Sequence, residues 1–201
     1  WASNFALFSA DVAKAPNSVR LHNGMGGELY ARFINENLPA EEKAEILKQM
    51  QQHSQAAIDI RPNPVSYLNL GNVAISRNQF AESIANYQKA LELAPNYGLA
   101  RINIGRSYQA WGRIEGRQNK NPQRAAELLE KAVEYGLSDA SLYLDLGAAY
   151  GMSGQNEKAI PYLEKSVQLD PQNKTAWGNL SVAYRAVGNI AKAEECALRA
   201  K

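Results

Sequence analysis

Residues 64–96 read PVSYLNLGNVAISRNQFAESIANYQKALELAPN, from Pro64 to Asn96. Two amphipathic helices are written in this stretch. The first carries Tyr67, Leu70, Gly71 and Ala74; after a turn at Arg77-Asn78 the second carries Phe80, Ile84, Tyr87, Ala90 and Leu91, and Pro95 closes the unit. Apolar residues spaced by three and four turn one face of each helix toward a core. The pattern recurs outward from here. Gly71 and Gly105 stand 34 residues apart, as do Gly147 and Ser181. Each follows an aliphatic residue (Leu70, Ile104, Leu146, Leu180) and stands four after a large one (Tyr67, Arg101, Tyr143, Trp177). Three residues further on come Ala74, Tyr108, Tyr150 and Tyr184, while Ala90, Ala132, Ser166 and Ala200 repeat in the second helix. A fixed period of this length marks stacked helix pairs, and the small positions let neighbouring helices cross at short distance.

The register divides the chain as a single domain over 1–201. Residues 63–96 form the cleanest repeat, 140–173 a second clean one, and 174–201 a last, truncated one with Ser181 in the glycine slot. Between them, 97–139 keeps Ile104, Gly105 and Tyr108 but is lengthened: Gly105 to Gly147 is 42 residues, and the extra eight, Ile114 to Asn121, are expected to form an inserted loop at 114–121. Gly136 reads as a helix C-cap. Upstream, 17–62 is a divergent repeat with Gly26 at the small position, His22 at the large one, and a long second helix from Pro39 to about Ile60. Trp1, Phe5, Phe8 and Val12 share a stripe at helical spacing, so 1–16 is expected to be a capping helix. The chain opens on Trp1 rather than Met and stops at Lys201 inside a second helix, so it reads as a fragment or a processed product.

Composition narrows the function classes. Of 201 residues, 45% are hydrophobic, with no run long enough to span a bilayer. Twenty-two basic against twenty acidic residues leave a formal +2, too little to draw the whole molecule to nucleic acid or an anionic membrane. One cysteine, Cys196, cannot form an internal disulfide and reads as a small core filler. His22 and His53 lie on different helices without ligand spacing, so neither a metal nor any other cofactor is expected. Nucleophile-elbow and phosphate-loop motifs are missing. Gly24-Met25-Gly26-Gly27 has no preceding strand and reads as close helix packing. The sequons at Asn173 and Asn179 carry no assignment, the second lying inside a helix. The chain reads as a non-enzyme.

With its 34-residue register of small and aromatic positions, the chain resembles the tetratricopeptide repeat (TPR) family. The resemblance implies an all-α fold, a right-handed superhelix (α-solenoid) of antiparallel helix pairs with about four to five repeats. It also implies a protein-interaction scaffold binding an extended peptide or partner protein in its concave groove. In that family the first helix of each repeat faces inward two before, one after and four after the small position. On this chain those rules point to Asn69, Asn103, Asp145 and Asn179, then Asn72, Arg106, Ala148 and Val182, then Ile75, Gln109, Gly151 and Arg185; of these, Asn69, Asn72, Asn103, Arg106, Gln109, Asp145 and Asn179 are taken as ligand-binding. Asn69, Asn103 and Asn179 resemble the asparagine ladder of protein O-GlcNAc transferases, with Asp145 breaking it. Asparagine offers a donor and an acceptor to a peptide backbone, but it also simply tolerates partial exposure. Leu68, Ser141 and Asp145 depart from the chaperone-binding carboxylate clamp, which needs basic residues there.

Two other functional readings remain. The opening Trp1, Leu7-Phe8, Asp11 and Pro16-Asn17-Ser18 resembles the junction in bacterial membrane glycosyltransferase-like proteins where a TPR tail follows a multi-spanning region. That implies a soluble accessory tail attached to a membrane protein, in a periplasmic or extracytoplasmic setting; otherwise the chain is cytoplasmic. Alternatively, the uncapped last repeat makes the chain a self-assembly module, a homodimer through its C-terminal face. Residues 101–124 hold six basic side chains (Arg101, Arg106, Arg113, Arg117, Lys120, Arg124) against Glu115 alone. Such a run is most often solvated, yet it also suits an acidic peptide, phosphate or headgroup. Ile114-Glu115-Gly116-Arg117 is in addition a factor Xa recognition sequence, open to cleavage if the insert is a loop.

Overall fold

The computed structural model describes residues 4–201, which form eleven helices and no strand. They are α1 (Asn4–Lys14), α2 (Val19–Asn35), α3 (Ala40–Ile60), α4 (Pro64–Ser76), α5 (Phe80–Leu93), α6 (Gly98–Arg117), α7 (Pro122–Glu134), α8 (Ala140–Met152), α9 (Asn156–Leu169), α10 (Lys174–Ala186) and α11 (Ile190–Arg199). Polar caps start them. The side chains of Asn63, Asn121, Asp139, Asn173 and Asn189 each accept a backbone N–H three residues on, worth about 1 kcal/mol apiece. Left-handed residues stop them. After α4, α8 and α10 the backbone turns at Asn78 (φ 57), Gly154 (φ 79) and Gly188 (φ 81), and Gln79, Gln155 and Asn189 donate back to the carbonyls of Ala74, Tyr150 and Tyr184. Gly136 (φ 92) does the same after α7, as expected of a C-cap. No helix of the described residues is long and apolar enough to cross a membrane.

The chain divides into two compact units at Ile104/Gly105, inside α6, where the sequence reading expected one domain. In unit 1, residues 1–104, a core of Met25, Leu29, Ile46, Met50 and Val73 is covered by Phe5, Phe8 and Val12 of α1. Trp1, the fourth member of that stripe, lies outside the described residues. The glycine run in α2 is close packing: a β-carbon on Gly24 would lie 2.4 Å from the Phe8 ring, and one on Gly26 2.6 Å from Asn69 Nδ2. The polar ties are specific. Asn23 Nδ2 donates to Asn63 Oδ1 (2.9 Å), and Ser66 Oγ donates to Asn23 Oδ1 (2.7 Å), joining α2 to the start of α4.

His22 and His53, assigned no role from sequence, meet between α2 and α3 with their Nδ1 atoms 3.0 Å apart. His22 Nε2 lies 2.8 Å from the Pro16 carbonyl, which can only accept, so Nε2 of His22 carries the proton. Nδ1 of a neutral His22 then accepts from His53. Burial first, and His22 second, push the His53 imidazole below its ordinary value.

In unit 2, residues 105–201, the core runs through Leu129, Leu142, Leu146, Leu163, Leu180 and the buried Cys196. Small positions again lie under large side chains: a β-carbon on Gly147 would sit 2.5 Å from Leu163 Cγ, and one on Gly112 2.7 Å from Leu129 Cγ. Ser181, in the glycine slot, turns its hydroxyl to good use and donates to the Ala193 carbonyl (2.7 Å).

The insert differs from the loop expected at 114–121. Ile114 to Arg117 continue α6, and only residues 118–121 connect to α7. The physical reason is a packing surface. A β-carbon on Gly116 would touch the Ala125 β-carbon at 3.3 Å, so the extra turn lies on α7. The turn closes with Lys120 in the left-handed region (φ 51) and Asn121 donating to the Glu115 carbonyl (2.9 Å).

Two outcomes are expected. Proteases need an extended strand, so factor Xa should leave the native chain intact at Arg117 and cut there only after denaturation; cleavage in native buffer would return the segment to a loop. For His53, a folded-state pKa below the unfolded one means that unfolding takes up a proton as the pH falls through the ordinary histidine range. The contribution is complete above that range, so the melting temperature should fall between about pH 7 and about pH 5. His53→Gln should flatten this slope, and an unchanged slope would locate it elsewhere.

Candidate functional site

The seven side chains selected by the helix register fall in both units and differ in burial within each. In unit 1, Asn69 is 5% exposed against Gly26 of α2, and its Nδ2 has no hydrogen-bond partner. Asn72 is 4% exposed, and its Oδ1 accepts from Tyr87 Oη (2.8 Å) and from Asn103 Nδ2 (3.2 Å). These amides brace α4 against α5 and the start of α6. In unit 2, Gln109 is buried and Arg106 exposed. The reading of Asn69, Asn72 and Gln109 as ligand-facing is therefore corrected: spacing places a residue on a helix face, and the neighbouring helix covers that face. Asn103 is partly buried on α6 and bonded to Asn72, Arg106 stays exposed, and Asp145 and Asn179 are partly buried on α8 and α10.

Around those two the structure assembles a different set of residues. Asp145 Oδ2 accepts from Arg113 Nε, Asp145 Oδ1 accepts from Arg117 Nη2 (3.3 Å), and Arg113 Nη2 donates to Ser141 Oγ. Arg113 and Arg117 share a face because they are four apart on α6, and that face exists only because the insert is helical. Asp145 is 9% exposed on its side chain, Arg113 36% and Arg117 74%. The carboxylate is thus consumed by the protein while Arg117 reaches into solvent.

Beside this ion pair lies a cavity of about 500 Å³, walled by Arg113, Arg117 and Lys120 on one side and by Leu144, Ala148 and Met152 on the other. Asn179 borders it. A second cavity of about 290 Å³ shares Ala148, Met152 and Asn179 and extends to Val182. Met152 and Val182, two-thirds exposed, present apolar surface to solvent here. A concave apolar floor with a few charged groups on its margin suits a side chain of a bound segment. It has no nucleophile paired with a base, and no group of three metal-capable side chains occurs among the described residues.

Sequence reasoning found Arg113, Arg117 and Lys120 only as a charge run, named Ala148 and Val182 among the inward-facing positions without taking them as ligand-binding, and did not mark Met152. Ala148 and Val182 were visible, since each stands one after a small position. Met152 has no such marker.

Tetratricopeptide repeat family profiles match residues 64–138, 110–174 and 152–200. An uncharacterized protein of Methanocaldococcus jannaschii is 35% identical over 63 residues, 31% of this chain and 73% of that one. A TPR repeat-containing protein of Pseudomonas aeruginosa is 35% identical over 69 residues, 34% of this chain and 66% of its own length. A human protein O-mannosyl-transferase, TMTC3, is 23% identical over 182 residues, covering 87% of this chain but only 19% of the transferase. Among solved structures, YrrB, described as a TPR protein with an unusual peptide-binding site, superposes with a TM-score of 0.62 at 18% identity, covering 96% of this chain and 90% of YrrB. The C-terminal part of a TPR repeat-containing protein from Cytophaga hutchinsonii gives 0.66 at 17% identity, covering 98% and 71%.

The two kinds of asparagine should separate by mutation. Asn72→Ala removes a buried acceptor and should cost about 1–3 kcal/mol, whereas Asn179→Ala should stay within about 0.5 kcal/mol of the parent. Urea denaturation of both variants checks this, and equal losses would mean that Asn179 is structural too.

Proposed function

Since the chain belongs to the tetratricopeptide repeat family, we propose that it is a non-enzymatic protein-interaction scaffold that takes an extended segment of a partner protein on unit 2. The observation that carries this reading is the pair of cavities sharing Ala148, Met152 and Asn179 across α8 and α10. Together they offer two adjoining sites at the scale of side chains, as recognition of an extended peptide requires. The description of YrrB as peptide-binding supports the same use of the fold. The contact set is Arg113, Arg117, Ala148, Met152, Asn179 and Val182, with Asp145 holding the arginines in place.

A second reading rests on the similarity to TMTC3, which runs over 87% of this chain at 23% identity. It makes the chain an accessory region of a membrane-bound glycosyl-transferring protein, presenting or recruiting the acceptor. The same peptide surface would serve that role.

Photo-crosslinking distinguishes the surface from the rest of the molecule. A benzoylphenylalanine residue placed at Met152 or Val182 should capture the partner in extracts of the source cells, and one at the exposed Glu194 of α11 should not. Capture from Glu194 with none from the other two would move the interface away from α8 and α10.

A further inference from the structure

Resting on the reading that unit 2 holds an extended segment, we propose that this segment is acidic: an Asp or Glu within a few residues of a large apolar anchor. Charge complementarity carries the argument. The larger cavity is lined by three cations, Arg113, Arg117 and Lys120, and by one carboxylate, Asp145. Both Asp145 oxygens already accept from Arg113 and Arg117, so the acid balances Arg113 and leaves the outer pair in excess. Arg117 gives one of its five N–H donors to Asp145, at 3.3 Å, and is 74% exposed. Lys120 is exposed beside it. Arg124, the next cation along, is taken up by Glu127 at 2.7 Å and does not line the cavity.

The turn that carries Lys120 supports the same conclusion. The left-handed residue that ends each comparable helix is Asn78, Gly154 or Gly188, types that accept positive φ readily. At the end of α6 the slot is held by Lys120 at φ 51, a residue type that gains nothing from that backbone conformation. Its cationic side chain lines the same cavity as Arg113 and Arg117. The opposite wall supplies the second half of the specificity. Leu144, Ala148 and Met152 form an apolar surface within the same cavity, which favours a peptide over a nucleic-acid backbone. An occupant therefore sets its apolar side chain against Met152 and its carboxylate toward Arg117 and Lys120.

The test uses a displayed library of random dodecapeptides selected on the whole chain, followed by fluorescence anisotropy of the enriched peptides at low salt. Selection should enrich Asp or Glu within three residues of Leu, Ile, Met or Phe. Arg117→Glu with Lys120→Glu should weaken those peptides about tenfold or more, with an unchanged circular-dichroism melt. Lys120→Gly should weaken them less while raising the melting temperature, since it relieves the left-handed strain.

Enriched peptides with no acidic bias, insensitive to the charge reversal yet lost in Met152→Asp, would overturn the acidic preference and leave the peptide surface standing. Peptides indifferent to Met152→Asp, or no enrichment at all, would overturn both. Tight binding of an oligouridylate, insensitive to Met152→Asp, would reassign the basic face to RNA and likewise sink the proposal.

Discussion

A β-carbon on Gly71 would stand 2.3 Å from the Tyr87 ring, and one on Gly147 2.5 Å from Leu163. These separations are far inside van der Waals contact, so the first helix of each pair can lie against the second only where it has no side chain. That contact sets the depth to which the helices interlock, and the depth decides which residues are covered. Ser181 shows the limit of tolerance. Its hydroxyl fits because it donates to the Ala193 carbonyl, twelve residues on, the same relative position from which Ala159 O faces Gly147. A small polar group is admitted where a backbone acceptor awaits it.

Outside that contact, a second regularity ties three of the pairs together. The large residue four before the small position lies under a cation 22 residues later: Lys89 over Tyr67, Lys165 over Tyr143 and Arg199 over Trp177, at 5.4, 5.2 and 4.7 Å from the ring centroids. Tyrosines three after the small position reach the other way, Tyr150 to Glu130 and Tyr184 to Glu164. Burial and the acceptor carboxylate both raise these two phenols, which act as donors. In the divergent repeat the large position is His22, and the group packed against it is His53, not Lys or Arg. The histidine pair thus stands in for the aromatic–cation contact, with a titratable group where the other pairs have a permanent charge. This exchange accompanies the lengthening of both α2 and α3, which leaves His53 31 residues after His22 where the other pairs have 22.

Much of this was legible from residues. Helix pairs, the C-cap at Gly136 and the small positions all follow from local chemistry repeated at one period. Two things were not. The insert reads as a loop because it breaks the period, but a period reports only where helices of standard length end. Gly112 and Gly116, four apart, were the signal that α6 continues, since a pair of glycines at that spacing makes a smooth face for α7 to lie on. The asparagines failed for another reason. Register places Asn69 and Asn72 on a face of α4, and whether that face meets solvent depends on Gly26 and Tyr87, which come from helices distant in sequence.

The same two failures bear on where the proposed binding surface comes to lie. Position for position, Asp145 occupies the site held by Asn69, Asn103 and Asn179 in the other pairs. An asparagine there can satisfy itself with a neighbouring amide, as Asn103 does with Asn72. A carboxylate with 9% exposure requires cations, and regular repeats place none within reach. The extra turn of α6 brings Arg113 and Arg117 to it, so insertion and substitution belong to one arrangement. Meeting the needs of Asp145 takes little more than one positive charge, while α6 and the turn that follows it bring three cations to the cavity. The surplus cations share the cavity with Leu144, Ala148 and Met152 of α8, and the acidic preference proposed for this surface rests on that combination.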